Sequence, residues 1–281
     1  MQLRQGTIRL FRFLDIEVFL HWSWFVVAAF EMSVRSNSYS SVVWNALEYL
    51  ALFFIVLMHE YGHALACRQV GGTANRIVLW PLGGVAFVDP PPRAGANLWS
   101  IAAGPLVNVA LLPVFFGLDV AARSAGWPAT LPNAYGLLYA IQYINLVLLA
   151  FNVLPIYPLD GGQILRSLLW FIFGRARSLM IATAVGLLGV VGFVYIALRD
   201  QSIWLGIIAW FAATNCWSGW KHARALMQIA KLPRRAGYAC PSCHSAPPIG
   251  ELWRCRACTN PFDTFATQAK CPICNAEFPQ T

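Results

Sequence analysis

The chain has 281 residues, 58% of them hydrophobic and only 11% charged, with a net charge of +8. Such an apolar composition excludes an ordinary soluble domain, and its wealth of Trp and Phe suits side chains at bilayer interfaces. The basic excess is not a nucleic-acid footprint, because it gathers in particular loops, and no nucleic-acid partner is expected.

Six apolar stretches reach or approach the length needed to cross a hydrocarbon core of about 30 Å. They run over residues 18–32, 43–67, 98–120, 134–154, 179–198 and 203–217. The expected fold is therefore an all-α polytopic membrane protein of about six transmembrane helices. Arg4, Arg9 and Arg12 precede the first stretch, and no small-x-small cleavage site follows it, so a retained anchor is expected. With the N-terminus inside, the cytoplasmic loops hold Arg68, Arg76, Arg93, Arg166, Arg175, Arg177 and every basic residue of the tail. The other side holds only Arg35, Arg123 and Arg199. That bias puts both termini in the cytoplasm. The small size and simple layout suggest a prokaryotic cytoplasmic membrane.

The second stretch ends in His59-Glu60-Tyr61-Gly62-His63. Residues four apart share a helix face, so His59 and His63 can present imidazoles to one metal ion. Glu60 stands beside them as the candidate general base. A packed His pair with a buried Glu is the plain alternative. It is disfavoured because an ionisable group at membrane depth costs about 2.5–3.5 kcal/mol on insertion scales.

Between the second and third stretches, residues 76–88 place two short β-prone runs around Pro81-Leu82-Gly83-Gly84. A hairpin so apolar should be re-entrant, set against protein or a wet cavity, since open sheet edges do not face lipid. A surface loop with an apolar tip is the alternative. The candidate third ligand, Asp160, lies in Asn152-Val-Leu-Pro155-Ile-Tyr-Pro158-Leu-Asp160-Gly161-Gly162. Pro155 and Pro158 end the fourth span, and the Gly pair lets the chain turn into a helix over 163–173. Asp160 thus arrives on non-helical backbone, as a ligand or as a cap of that helix.

These motifs, with Ala103-Gly104-Pro105-x-x-Asn108 in the third span, resemble the site-2 protease family of intramembrane zinc metalloproteases over roughly residues 15–218. The resemblance implies zinc held by His59, His63 and Asp160, with Glu60 as catalytic base. It implies that Asn152 assists at the active site, with Asn152 or Asn108 hydrogen-bonding the developing oxyanion. It also implies that the hairpin, at Gly83, Gly84 and Val85, clamps an extended substrate drawn from transmembrane proteins. A silent adaptor of the same fold and a metal transporter are the rival readings. Cys67, one turn past His63, reads as a packing residue rather than a fourth ligand.

After Trp217 a basic linker, residues 219–238, leads to a Cys-rich segment, 239–281, that resembles zinc-ribbon or rubredoxin-like modules. It holds Cys240/Cys243, Cys255/Cys258 and Cys271/Cys274, whose spacing suits metal knuckles in a reducing compartment. Cys255, Cys258, Cys271 and Cys274 are the preferred set, with Trp253 and Phe262 as a small core. Cys240 and Cys243 either bind a second ion with His244 or pair with Cys255/Cys258. The tail metal is open between zinc and iron, and the tail is expected to serve a cytoplasmic regulatory partner.

Overall fold

The structure is a computed structural model that describes residues 6–34, 39–80, 83–239 and 246–278. It divides into two compact units, Met1–Trp220 and Lys221–Thr281.

The first unit opens with strands β1 (Thr7–Phe13) and β2 (Ile16–His21), followed by the short helix α1 (Ser23–Val34) and the long helix α2 (Val42–Gln69). Strands β3 (Thr73–Trp80) and β4 (Gly83–Asp89) come next. The four strands form one sheet in the order β1-β2-β3-β4, with β2 and β3 parallel and the other neighbours antiparallel. The hairpin expected over 76–88 is thus half of a larger sheet, with its turn, Pro81 and Leu82, outside the described residues.

The sheet corrects the all-α expectation and the first expected span. Ile16-Glu-Val-Phe-Leu-His21 is apolar enough to count towards a crossing, but its burial alternates at period two, as in a half-buried strand. Ile16, Val18 and Leu20 pack with Ile77 and Leu79 against Val56, Leu57, Ala64 and Cys67 of α2. The remaining helix, α1, has 12 residues and is therefore only about 18 Å long. Leu14 and Asp15 join β1 to β2 with φ of 50° and 58°, the left-handed pair of a two-residue hairpin turn. Arg68 of α2 donates to both of their carbonyls and to Ala74 O, pinning an otherwise unfavourable Leu conformation.

Helices α3 (Ala94–Ser124), α4 (Trp127–Thr130), α5 (Pro132–Val153), α6 (Asp160–Arg199) and α7 (Ile203–Ala230) follow. Gly174, at φ 75°, breaks α6 into limbs over 160–173 and 175–199. Among the described residues, α2, α3, α5 and α6 are long and apolar enough to cross a membrane. Their outward positions carry large apolar side chains such as Phe116, Ile172, Leu188 and Tyr195, while Ser100, Asn108, Asn145, Ser178 and Thr183 are buried. Large residues outside and small or polar ones between helices are what lipid-embedded packing requires. Helix α7 runs on to Ala230, so the first part of the expected linker is helical.

In the second unit, strands β5 (Trp253–Arg254) and β6 (Pro261–Phe262) pair antiparallel. Phe262, Cys255 and Cys271 form its buried centre, with Trp253, Cys258, Ala276 and Phe278 packed around them. Arg235 pairs with Asp263 and lies 5.1 Å over the Phe265 ring, tying the linker's end to this unit.

Gly62 sets the approach of α2 to α3. A Cβ there would lie 2.7 Å from Ala103 O and 2.8 Å from Val107 Cγ2. Gly62→Ala should therefore push the helices apart and destabilise the protein by about 1–3 kcal/mol, as overpacking does. Thermal unfolding in detergent checks this, and an unchanged midpoint would show that the contact is slack.

Candidate metal centre

Three elements build the site. Helix α2 places His59 and His63 on one face because they are one turn apart, and both are buried. Helix α5 ends at Val153, and the chain then bends and turns through Pro155 and Pro158, with Leu159 N–H donating to Ile156 O, before Asp160, the first residue of α6. The turn is possible because Gly161 and Gly162 lack side chains: a Cβ on Gly161 would collide with the Val153 and Leu154 carbonyls. Asp160 Oδ2 lies 2.9 Å from His59 Nε2 and 3.3 Å from His63 Nε2, and the two Nε2 atoms are 3.1 Å apart. Among the described residues its carboxylate bonds His59, and the N-cap of α6 is Leu159.

The far nitrogen of each ring sets its tautomer. His63 Nδ1 lies 2.9 Å from the backbone carbonyl of Ser100, which can only accept, so Nδ1 carries the proton. His59 Nδ1 lies 2.6 Å from Asn108 Oδ1. In neutral rings both Nε2 lone pairs therefore point at Asp160. Three lone-pair donors 2.9–3.3 Å apart approach the edge of about 3.3 Å expected for a tetrahedral zinc with bonds of about 2.0–2.1 Å. The donor set fits zinc, with a fourth position left for water.

Gly104 forms the cradle. A Cβ there would collide with His63 Nε2 and lie 2.7 Å from His59 Nε2, so a larger residue would occupy the place where the ligands converge. Glu60, 5% exposed, lies on the neighbouring face of α2 under β4. Its Oε2 accepts the backbone N–H of Ala86 at 2.8 Å. Gly84 lies directly over this carboxylate, since a Cβ at Gly84 would collide with Glu60 Cγ and Oε1.

Of the other expected site residues, Gly84 lies at the carboxylate and Val85 is exposed on the opposite face of β4. Gly83 pairs with Trp80 at the strand's start. Asn152 is half-buried in the last turn of α5, with no side-chain hydrogen bond among the described residues. Asn108 is engaged differently from the oxyanion donor expected of it. Its oxygen faces His59 and its amide nitrogen donates to Asn145 Oδ1 at 2.8 Å. Cys67 turns away from the site, its thiol 3.5 Å from Thr73 O. Ser100, Ala86 and Asn145 escape a reading by motif. The first two act through backbone atoms, and Asn145 announces itself only as a lone polar residue in an apolar stretch.

In the second unit, Cys255 Sγ lies 3.4 Å from Cys274 Sγ and Cys258 Sγ 3.6 Å from Cys271 Sγ, with all four ligand atoms within 4.8 Å of one another. A zinc tetrathiolate with bonds of about 2.3 Å has edges of about 3.8 Å, so this set also fits a metal. The two knuckles repeat each other. Thr259 N–H donates to Cys255 O and Asn275 N–H to Cys271 O, with φ of 62° at Thr259 and 58° at Asn275. The backbone N–H of Asn260 holds the Cys258 thiol below the usual thiol range. Cys240, Cys243 and His244 lie outside the described residues.

The model of Peptidase family M50 matches residues 48–134 and 128–196. A zinc metalloprotease of Methanocaldococcus jannaschii is 36% identical over 188 residues, 64% of this chain and 50% of the relative. Stage IV sporulation protein FB of Bacillus subtilis is 32% identical over 118 residues, 41% of this chain and 38% of the relative. The solved structure of the site-2 protease from Methanocaldococcus jannaschii superposes with a TM-score of 0.58 at 28% identity, covering 76% of this chain and 95% of that one. The chain spans about half the length of the first curated relatives it matches.

Two substitutions separate the metal groups. Gly104→Ala should remove the ion of the His59, His63 and Asp160 group and leave the tail ion, whereas Cys271→Ser should do the reverse. Metal analysis of the purified full-length variants reads both, and retention of both ions in Gly104→Ala would show that the cradle tolerates a methyl group.

Proposed function

The chain belongs to Peptidase family M50 and is an integral membrane protein; on that footing we propose that it is a zinc endopeptidase cutting peptide bonds within or near transmembrane segments of other membrane proteins. The convergence of His59, His63 and Asp160 among helices fit to cross a bilayer carries this reading. His59 and His63 through Nε2, and Asp160 through a carboxylate oxygen, would hold the zinc. When bound, that ion lowers the pKa of water towards neutrality and polarises the scissile carbonyl.

Glu60 takes the proton from the attacking water and returns it to the leaving amine. Its burial under Gly84 keeps bulk water from competing for the carboxylate. Asn152, whose side chain has no hydrogen bond among the described residues, steadies the substrate carbonyl as negative charge develops there. An intact substrate helix hides its carbonyls, so the scissile segment must unwind. The outer edge of β4 is unpaired in the sheet order and offers replacement backbone hydrogen bonds. Gly84 and Ala86 turn their backbone groups to the same side, since side and direction repeat every second residue. An added strand there would compete with Glu60 for the Ala86 N–H and so release the base as substrate arrives.

The excess of basic residues on one set of loops supports a cytoplasmic position for both termini. The likeness to prokaryotic relatives supports a prokaryotic cytoplasmic membrane. The metal-knuckle tail is proposed to engage a cytoplasmic regulatory partner.

Glu60→Gln should lower cleavage of a single-span model substrate by about 10²–10⁴-fold, the usual worth of a general base, with zinc content unchanged. Asn152→Leu should lower kcat by about 10²–10³-fold, as loss of an oxyanion donor does, and leave metal in place. Cleavage by the purified proteins in the same vesicles reads both. Undiminished proteolysis by Glu60→Gln would refute the base assignment.

A further inference from the structure

We infer that Asn145 is a positioning residue for the metal centre, acting through Asn108 to hold His59 in the tautomer that ligates. Both asparagines have 0% exposure, on α5 and α3 respectively. A buried primary amide with no fixed partner can turn over and exchange its oxygen for its nitrogen. Here the direction of every bond follows from one atom that cannot be reversed.

The backbone carbonyl of Asn108 can only accept, and Asn145 Nδ2 lies 3.0 Å from it. Asn145 must therefore present its nitrogen there and its oxygen to the Asn108 side chain. Asn108 Nδ2 donates to that oxygen at 2.8 Å, which leaves Asn108 Oδ1 facing His59 Nδ1 at 2.6 Å. An oxygen at that point requires a proton on Nδ1, and so, in the neutral ring, a lone pair on Nε2, the atom 2.9 Å from Asp160. Reversing Asn108 would place an N–H against Nδ1, draw the proton to Nε2 and remove His59 as a ligand. The relay runs from α5 through α3 to α2, with each polar group satisfied by the next. His63 needs no such device, because its Nδ1 partner is a backbone carbonyl. Groups that orient metal-bound histidines are typically worth 10–100-fold in metal affinity.

The tautomer part stands on the hydrogen bonds around Nδ1 and a neutral ring, and the affinity part rests on the zinc reading of the site. A carboxylate at position 108 has no nitrogen end to present, so Asn108→Asp should make Asn145 dispensable. The test uses full-length protein labelled with ¹⁵N-histidine in detergent, metal-free and then titrated with zinc against a chelator. Cys271→Ser identifies the tail ion's share. The wild type should show His59 protonated at Nδ1. Asn145→Leu should give a mixture or the Nε2–H form and lower zinc affinity about 10–100-fold. In the Asn108→Asp background the same substitution should cost less than about 3-fold, whereas a merely structural role would cost as much in both.

If Asn145→Leu fails to fold, Asn145→Ser, which removes the amide with less disturbance, takes its place with the same expectations. An unchanged His59 tautomer in the position-145 variant, or equal losses in both backgrounds, would overturn the inference. Wild-type protein with the Nδ1–H form but no zinc at this centre would sink the zinc reading and leave the relay standing.

Discussion

A polar side chain between apolar helices has no water to turn to, so it must find its partners among the few others at the same depth. The interior of the first unit is arranged around this constraint. His59, His63, Asp160, Asn108, Asn145 and the Ser100 carbonyl form one connected set of hydrogen bonds. Around them the helices are lined with small residues, because polar groups must approach within about 3 Å to satisfy one another. Gly62 and Gly104 are where that closeness leaves no room for a Cβ. The same closeness brings the three candidate ligands to one point, so packing and metal geometry express one demand.

The sheet answers a second form of the same demand. Backbone groups outside a helix must pair with something, and β1 to β4 pair with each other while β2, β3 and β4 lean on α2. One of the two edge strands, β4, keeps an unpaired edge, and one of its N–H groups is taken by Glu60. A carboxylate that would be costly to bury alone thereby gains a donor, and the donor gains an acceptor. Under the proposed function that exchange joins the recognition of an extended substrate to the readiness of the base.

The second unit solves the problem of small size. A segment of this length has little apolar surface to bury, and its centre holds Phe262 beside two cysteines. Four sulfurs at tetrathiolate spacing supply the cross-link that such a small core lacks. The two knuckles are built alike, each with a left-handed residue after its second cysteine, Thr259 in one and Asn275 in the other. Thr is an unusual choice for that backbone, which Asn tolerates more readily.

The order of residues alone determined the helix pair His59 and His63, the Pro-interrupted approach to Asp160 and the four thiols of the tail. Each rests on local spacing or on residues that restrict their own backbone. Tertiary structure alone decided what depends on partners distant in the chain. Residues 18–21 became part of a strand because β3 lies beside them, whereas composition counted them towards a span. Asn108 faces His59 rather than a substrate because Asn145, 37 residues away, occupies its other end. A polar residue's type states that it needs a partner, and only the packed helices determine which one it meets.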